Sequence, residues 1–306
     1  MLTVIISMKF FDLHCDTLYR AISENKNMND SDLCVTFEKI KQFEEYQGCF
    51  AIWMSDSIYG KDAFNLFKLF INKFNLEKNK YISNSEELNR KIKIFLGVEG
   101  GGILGGELSN VKEFYKSGVR IFTLTWNGSC EIGDGVGVDN AGGITDFGIK
   151  VIKELNLYNM TVDVSHASER LFYDVYEIFD GAFIATHSNS KTVCNHRRNL
   201  TDEQFRIIQK RGGIVGINFC VDFLNDSGNA NIEDIFNHID YFLSLSGENA
   251  ICIGSDFDGA SLPKELNDIS KIGNLYEFLL KKNYSEKLVD KIFFHNARKF
   301  FGKISF

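Results

Sequence analysis

Short apolar runs alternate along the chain with stretches whose apolar residues recur at helical spacing. The runs at 9–16, 49–55, 93–99, 119–127, 160–166, 182–188, 213–219 and 251–257 predict eight β-strands. They are apolar on both faces, as parallel strands covered from both sides must be. Helical patterns fill the gaps near 61–78, 107–117, 146–158, 167–179, 201–211, 232–245, 268–281 and 285–301. Cap signals open two of them, Ser168 with Glu169 and Thr201-Asp202-Glu203. Strand–helix alternation of this kind is the signature of a parallel sheet with helices outside it. No Pro/Ser-rich linker, charge block or low-complexity segment divides the chain. Eight β/α units in 306 residues therefore predict one α/β domain over 1–306, a (β/α)8 TIM-type barrel. A doubly wound open sheet is the alternative, but its Gly-x-Gly-x-x-Gly turn after the first strand is missing. Gly97, Gly100, Gly101, Gly102, Gly105 and Gly106 follow the third strand instead and read as a loop held close to the site.

Composition narrows the class. A net charge of −7 argues against nucleic acid as a partner, since a basic face is the usual footprint of such proteins. No apolar run reaches the roughly 20 residues of a membrane helix, so no membrane role is expected. Residues 1–7 are apolar but lack a basic start and a small-residue cleavage site. Residues 1–8 read as an extension, with Met8 as an alternative start. Seven scattered cysteines without a Cys-x-x-Cys pair fit reduced thiols, and the expected location is the cytoplasm.

The chemistry gathers at strand ends. In Asp12-Leu13-His14-Cys15-Asp16, three polar residues alternate at the end of the first strand, which predicts that they share one face. Taken alone, the motif reads equally well as solvated acids beside a hydrogen-bonded histidine. Cys15 falls on the opposite side as a small buried hydrophobe. Glu99 ends the third strand, His166 the fifth, His187 the sixth and Asp256 the eighth. Barrel enzymes build their sites at this C-terminal rim from several strands. Three histidines and three carboxylates exceed the needs of a single catalytic zinc. They suit two zinc ions, with His14 and Asp16 on one, His166 and His187 on the other, and Glu99 bridging. Such a pair would share a hydroxide aimed at a carbonyl carbon. Asp256 is then free to move a proton from the attacking water to the leaving amine.

These stretches, with Gly97-Val98-Glu99-Gly100-Gly101, Thr186-His187-Ser188, Arg197-Arg198-Asn199 and Gly254-Ser255-Asp256-Phe257-Asp258-Gly259, resemble the membrane dipeptidase (renal dipeptidase) family of zinc peptidases. The resemblance runs from residue 9 to about 260 in matching order and spacing, and more weakly beyond. It implies an amidohydrolase-type barrel, the same two-zinc ligand set, and Asp256 as acid–base residue. It also implies a dipeptide substrate whose free carboxylate meets Arg198, and relatives of this kind are often homodimers. Arg197 and His196 read as solvated or loop-stabilising. Two positions depart from the family. Trp126 stands where a histidine helps hold substrate and oxyanion, and Phe223 stands where the pocket has a tyrosine. Indole can donate but cannot act as acid or base. The expected function is a metal-dependent dipeptidase with Trp126 and Arg198 at the substrate. The alternatives are a related barrel hydrolase of another amide, lactone or ester, and a barrel that binds without catalysis.

Overall fold

The computed structural model describes residues 8–83, 88 and 91–302; apart from Met8, the expected extension at 1–8 lies outside the described residues. The strands are β1 (Lys9–Cys15), β2 (Glu45–Trp53), β3 (Ile92–Glu99), β4 (Val119–Thr123), β5 (Ser129–Cys130), β6 (Gly133–Asp134), β7 (Thr161–Asp163), β8 (Val215–Ile217) and β9 (Ile251–Ile253). β5 and β6 form a small antiparallel hairpin, and the other seven lie in the order β7-β4-β3-β2-β1-β9-β8, all parallel. The segment 183–187 closes the ring. It bridges β7 at Asp163↔Ile184 and β8 at Ala185↔Val215, both in parallel sense. Ile184 donates to the Val162 carbonyl at 3.0 Å, and Gly216 donates to the Ala185 carbonyl at 2.8 Å. The architecture is a (β/α)8 barrel of the TIM type.

The sixth stave is irregular for a local reason. A Cβ on Gly216 would lie 1.9 Å from the Thr186 carbonyl oxygen, and one on Gly254 would lie 1.8 Å from it. Two missing side chains let Thr186 sink between β8 and the end of β9, which bends the segment out of regular pairing.

Two apolar layers flank the sheet. Phe11, Leu13, Phe95, Ile121 and Ile184 fill the barrel interior, and a larger cluster lies between strands and helices. The C-terminal helical run Glu286–Asp290, Lys291–His295 and Asn296–Phe301 closes the floor. Phe301 lies 5.6 Å from the ring of Phe11 and 5.3 Å from that of Phe95. Among the described residues the inside of the barrel is thus packed below with apolar side chains, and its polar groups gather at the mouth.

Three expectations need correction. Most strands stop short: β4 ends at Thr123 rather than 127, β7 at Asp163 rather than 166, and β9 at Ile253 rather than 257. β2 begins at Glu45, earlier than the apolar run, because residues 45–48 already pair with β1 from Lys9 to Asp12, and buried Gln47 donates to the Glu45 carboxylate at 2.7 Å. Most tellingly, Asp12, His14 and Asp16 do not share a strand face. The register of β1 against β2 shifts between Asp12 and Cys15, a bulge. Phe10 and Cys15, of opposite parity, both belong to the outer apolar layer. Asp16 lies past the strand, at the start of the helix Thr17–Ser23, which no apolar period announced.

Candidate active site

The bulge in β1 separates two tasks. Asp12 stays in the wall, accepting from the Ser255 amide at 2.9 Å, the Ser255 hydroxyl at 2.6 Å and the His14 amide at 3.3 Å. Burial pushes its carboxyl up to about 6, with Ser255 opposing. Asp12 thereby ties β1 to the turn after β9. His14, inside the bulge, faces the mouth.

There the six residues expected from the sequence come together. His14 Nε2 lies 3.3 Å from Asp16 Oδ2 and 3.4 Å from Glu99 Oε2. The other oxygen, Glu99 Oε1, lies 2.8 Å from His166 Nε2 and 3.5 Å from His187 Nε2. Asp256 joins His14 and Asp16, with one ligand atom of each within 4.8 Å of the others, and His14, Glu99 and His187 form a second such group. Both His166 and Asp256 reach the site from left-handed backbone, φ 66° and 62°. Such a conformation costs a non-glycine residue about 1–3 kcal/mol and is concentrated at functional sites. It also explains the short strands: the chain turns here to aim these side chains inward.

The residues fit a cation. His166 Nδ1 lies 2.8 Å from the Asn127 side-chain oxygen, which can only accept, so the ring proton sits on Nδ1. His187 Nδ1 lies 2.7 Å from the Thr186 hydroxyl, which itself donates to Asp163 at 2.6 Å. Thr186 must then accept from His187. Both rings thus present bare Nε2 lone pairs, and these are only 3.0 Å apart. Two lone pairs at that distance repel unless a cation lies between or beside them. Asp16 Oδ1, buried without a hydrogen-bond partner among the described residues, points to the same requirement. Imidazole and carboxylate are the ligand types zinc takes, and the partners on Nδ1 are the usual outer supports of such ligands.

The charges couple strongly. Burial disfavours ionised Glu99, yet His14 and its hydrogen bonds outweigh that and hold the carboxylate well below its usual range. Burial likewise opposes charge on His14, but Glu99 and Asp16 raise it well above its ordinary value. Burial, then His14 and Arg198, push His187 well down. Burial and the neighbouring carboxylates Glu99 and Asp256 push Asp16 up to about 8 against the pull of His14. Asp256 is steadied by the Asn218 amide at 3.0 Å.

A cavity of about 430 Å³ lies over this group, walled by Tyr19, Trp53, Trp126 and Phe223. Trp126 packs edge-on against Trp53 with centroids 5.0 Å apart, and Trp53 against Tyr19 at 4.7 Å. Arg198 is buried beside it, its guanidinium 5.4 Å from the Phe223 ring and donating to the His187 carbonyl at 3.4 Å. It lines a neighbouring cavity that shares His166 with the first. His196 stacks on Phe223 at 4.6 Å, and Arg197 donates to loop carbonyls. Several site residues had no role in the sequence reading: Tyr19, Trp53, Asn127, Asp163, Thr186, Asn218 and Asp258. Asp258 accepts from Arg20, Thr17 and the Cys34 amide beneath the cavity. Most of them flank the motifs already singled out, which is the signal that could have found them.

A parallel barrel whose rim gathers three histidines and three carboxylates around such a cavity belongs to the metal-dependent hydrolases. Within that class, the chain is a member of the membrane dipeptidase family, peptidase family M19, which it matches over residues 2–306. It is 37% identical over 209 residues to an uncharacterised Klebsiella pneumoniae protein of the pqqA 5′ region, covering 65% of this chain and 77% of that one. It is 35% identical over 215 residues to dipeptidase 3 of Macaca fascicularis, covering 67% of this chain and 44% of the relative. The match thus spans less than half of that relative's length. Among solved structures, a dipeptidase described as a metallopeptidase superimposes with a TM-score of 0.88 at 25% identity, covering 96% of this chain and 97% of its own.

Proposed function

We propose that the protein hydrolyses dipeptides at a binuclear zinc site, His14 and Asp16 holding one ion, His166 and His187 the other, and Glu99 both. The observation that carries this reading is the split of Glu99, with Oε2 toward His14 and Oε1 toward His166 and His187. Zinc in such a site supplies an activated water and polarises the carbonyl. Asp256, oriented by Asn218, takes the proton of the attacking water and delivers it to the leaving amine. The Arg198 fork receives the free carboxylate of the substrate. Trp126 closes the aromatic wall and offers one N–H donor in place of an imidazole. The reading includes a cytoplasmic location, supported by seven unpaired cysteines, five of them buried. Among the described residues, no helix is long and apolar enough to cross a membrane.

Metal analysis of the purified protein, joined to a dipeptide panel with and without chelator, tests the reading. Two zinc ions per chain and chelator-sensitive cleavage are expected, with amidated dipeptides and Arg198→Ala raising KM. Absence of metal, or equal turnover of free and amidated dipeptides, would overturn it.

A further inference from the structure

Two cavities meet at His166, and they carry opposite charge. The one over the histidines is lined by Asp16, Glu99, Asp222, Asp256 and Asp258, with no lysine or arginine among its described lining residues. The other, about 480 Å³, lies between the loop 136–141, the start of the helix Glu169–Ile178 and the segment 188–200. Arg170, Lys191, Arg197 and Arg198 line it against Asp139 and Glu169. Arg170 is already answered by Asp174 at 2.9 Å, and exposed Arg197 stands 4.0 Å from Asp139. Lys191 has no carboxylate within ion-pair distance among the described residues. Two more groups on this wall are incomplete. Arg198 Nε and Ser188 Oγ, in residues 6% and 2% exposed, have no hydrogen-bond partner among the described residues. Buried polar groups are normally paired, so a pair of orphans on one cavity wall marks a place that a ligand completes.

We propose that this second cavity receives the side chain of the substrate's C-terminal residue and selects an acidic one, aspartate or glutamate. The inference rests on the dipeptidase reading and deepens it. Arg198 joins the two spaces, because its guanidinium lies against Phe223 of the first cavity while the residue lines the second. A carboxylate held there places the last Cα of the dipeptide at the junction, with Ser188 beside it and Lys191 beyond. The charge contrast also orients the substrate, its amine toward the acidic cavity and its carboxylates toward the basic one. Lys191 is the specificity residue, because among the described residues it and Arg198 are the cations on this wall without a carboxylate at ion-pair distance, and Arg198 is committed to the α-carboxylate of the substrate.

The test compares kcat/KM of the zinc-loaded enzyme for Ala-Glu, Ala-Gln and Ala-Ala, in the wild type and in Lys191→Ala and Lys191→Glu. A partly exposed ion pair supports about a five-fold preference for Ala-Glu over Ala-Gln, expressed in KM. Lys191→Ala should abolish that preference and Lys191→Glu should reverse it. Equal rates for Ala-Glu and Ala-Gln in the wild type, or a preference that survives Lys191→Glu, overturn the acidic subsite alone. Failure to cleave any of the three overturns the dipeptidase reading and the subsite with it.

Discussion

Gly259 is where the acidic side of the site leaves no room. A Cβ there would lie 2.0 Å from Asp16 Oδ2 and 2.6 Å from Asp256 Oδ1, so even alanine must displace one of these two carboxylates. Misplacement by an ångström can cost about a hundred-fold. Gly259→Ala should therefore lower kcat at least ten-fold while moving Tm by only a few degrees, measured by steady-state kinetics beside calorimetry. Wild-type turnover in that variant would refute the geometry. A second residue acts through a histidine. Thr186 accepts from His187 Nδ1 and donates to Asp163, which locks the tautomer. Thr186→Val should weaken zinc binding by about 10–100-fold in a chelator competition, and Thr186→Ser should restore it. The histidines and carboxylates that gather at the rim were legible because such residues at strand ends are costly without a partner. Thr186, Asn127 and Asn218 were not, because small polar residues occur in any turn and only their hydrogen bonds distinguish them.

At the level of elements, the apolar runs announced every barrel stave, since a strand covered on both faces has nowhere to hide its composition. Their ends were another matter. The left-handed turns at His166 and Asp256 occupy residues that look continuous with the strands before them. The bulge in β1 adds one residue without changing composition, so a period-two reading placed Asp12 with His14 where the backbone separates them. One helix carries a prediction of its own. His238, in the helix Ile232–Ser244, accepts from the Ser190 amide at Nδ1 and donates from Nε2 to the Leu224 carbonyl at 3.0 Å. It pins the loop after the sixth stave to the barrel's outer layer. Burial lowers its pKa from 6.5 to about 4. A base depressed in the folded state is neutral there while the unfolded chain takes up the proton. Its contribution is thus complete above pH 6.5 and is lost as pH falls through about 4, a matter of about 3 kcal/mol. Chemical denaturation from pH 7.5 to 4 should show this loss in the wild type, and His238→Gln should flatten the profile over that window. Parallel profiles for the two proteins would remove His238 as the cause.

For the whole molecule, the floor and the mouth of the barrel are built on opposite terms. Below, Phe11, Phe95 and Phe301 fill the interior with apolar surface that stabilises the fold without any ligand. Above, Asp16, Glu99 and three histidines are buried within a few ångströms of one another, and two imidazole lone pairs face each other at 3.0 Å. Groups so arranged destabilise the fold unless a cation compensates them, so metal binding and folding must be linked. A ligand present at about a thousand times its Kd adds about 4 kcal/mol of stability. At the 2–4 °C per kcal/mol typical of chains approaching this size, that is a rise in Tm of about 8–16 °C. Zinc titrated into chelator-treated protein should raise Tm on that scale. The gain should shrink sharply in Glu99→Gln, whose amide replaces one of the two carboxylate oxygens with a donor, even though this variant relieves some of the buried charge. An equal gain in wild type and Glu99→Gln would mean that metal binds elsewhere. A wild type indifferent to zinc would mean that the lone pairs are reconciled by protons, and that the mouth of the barrel is not a metal centre.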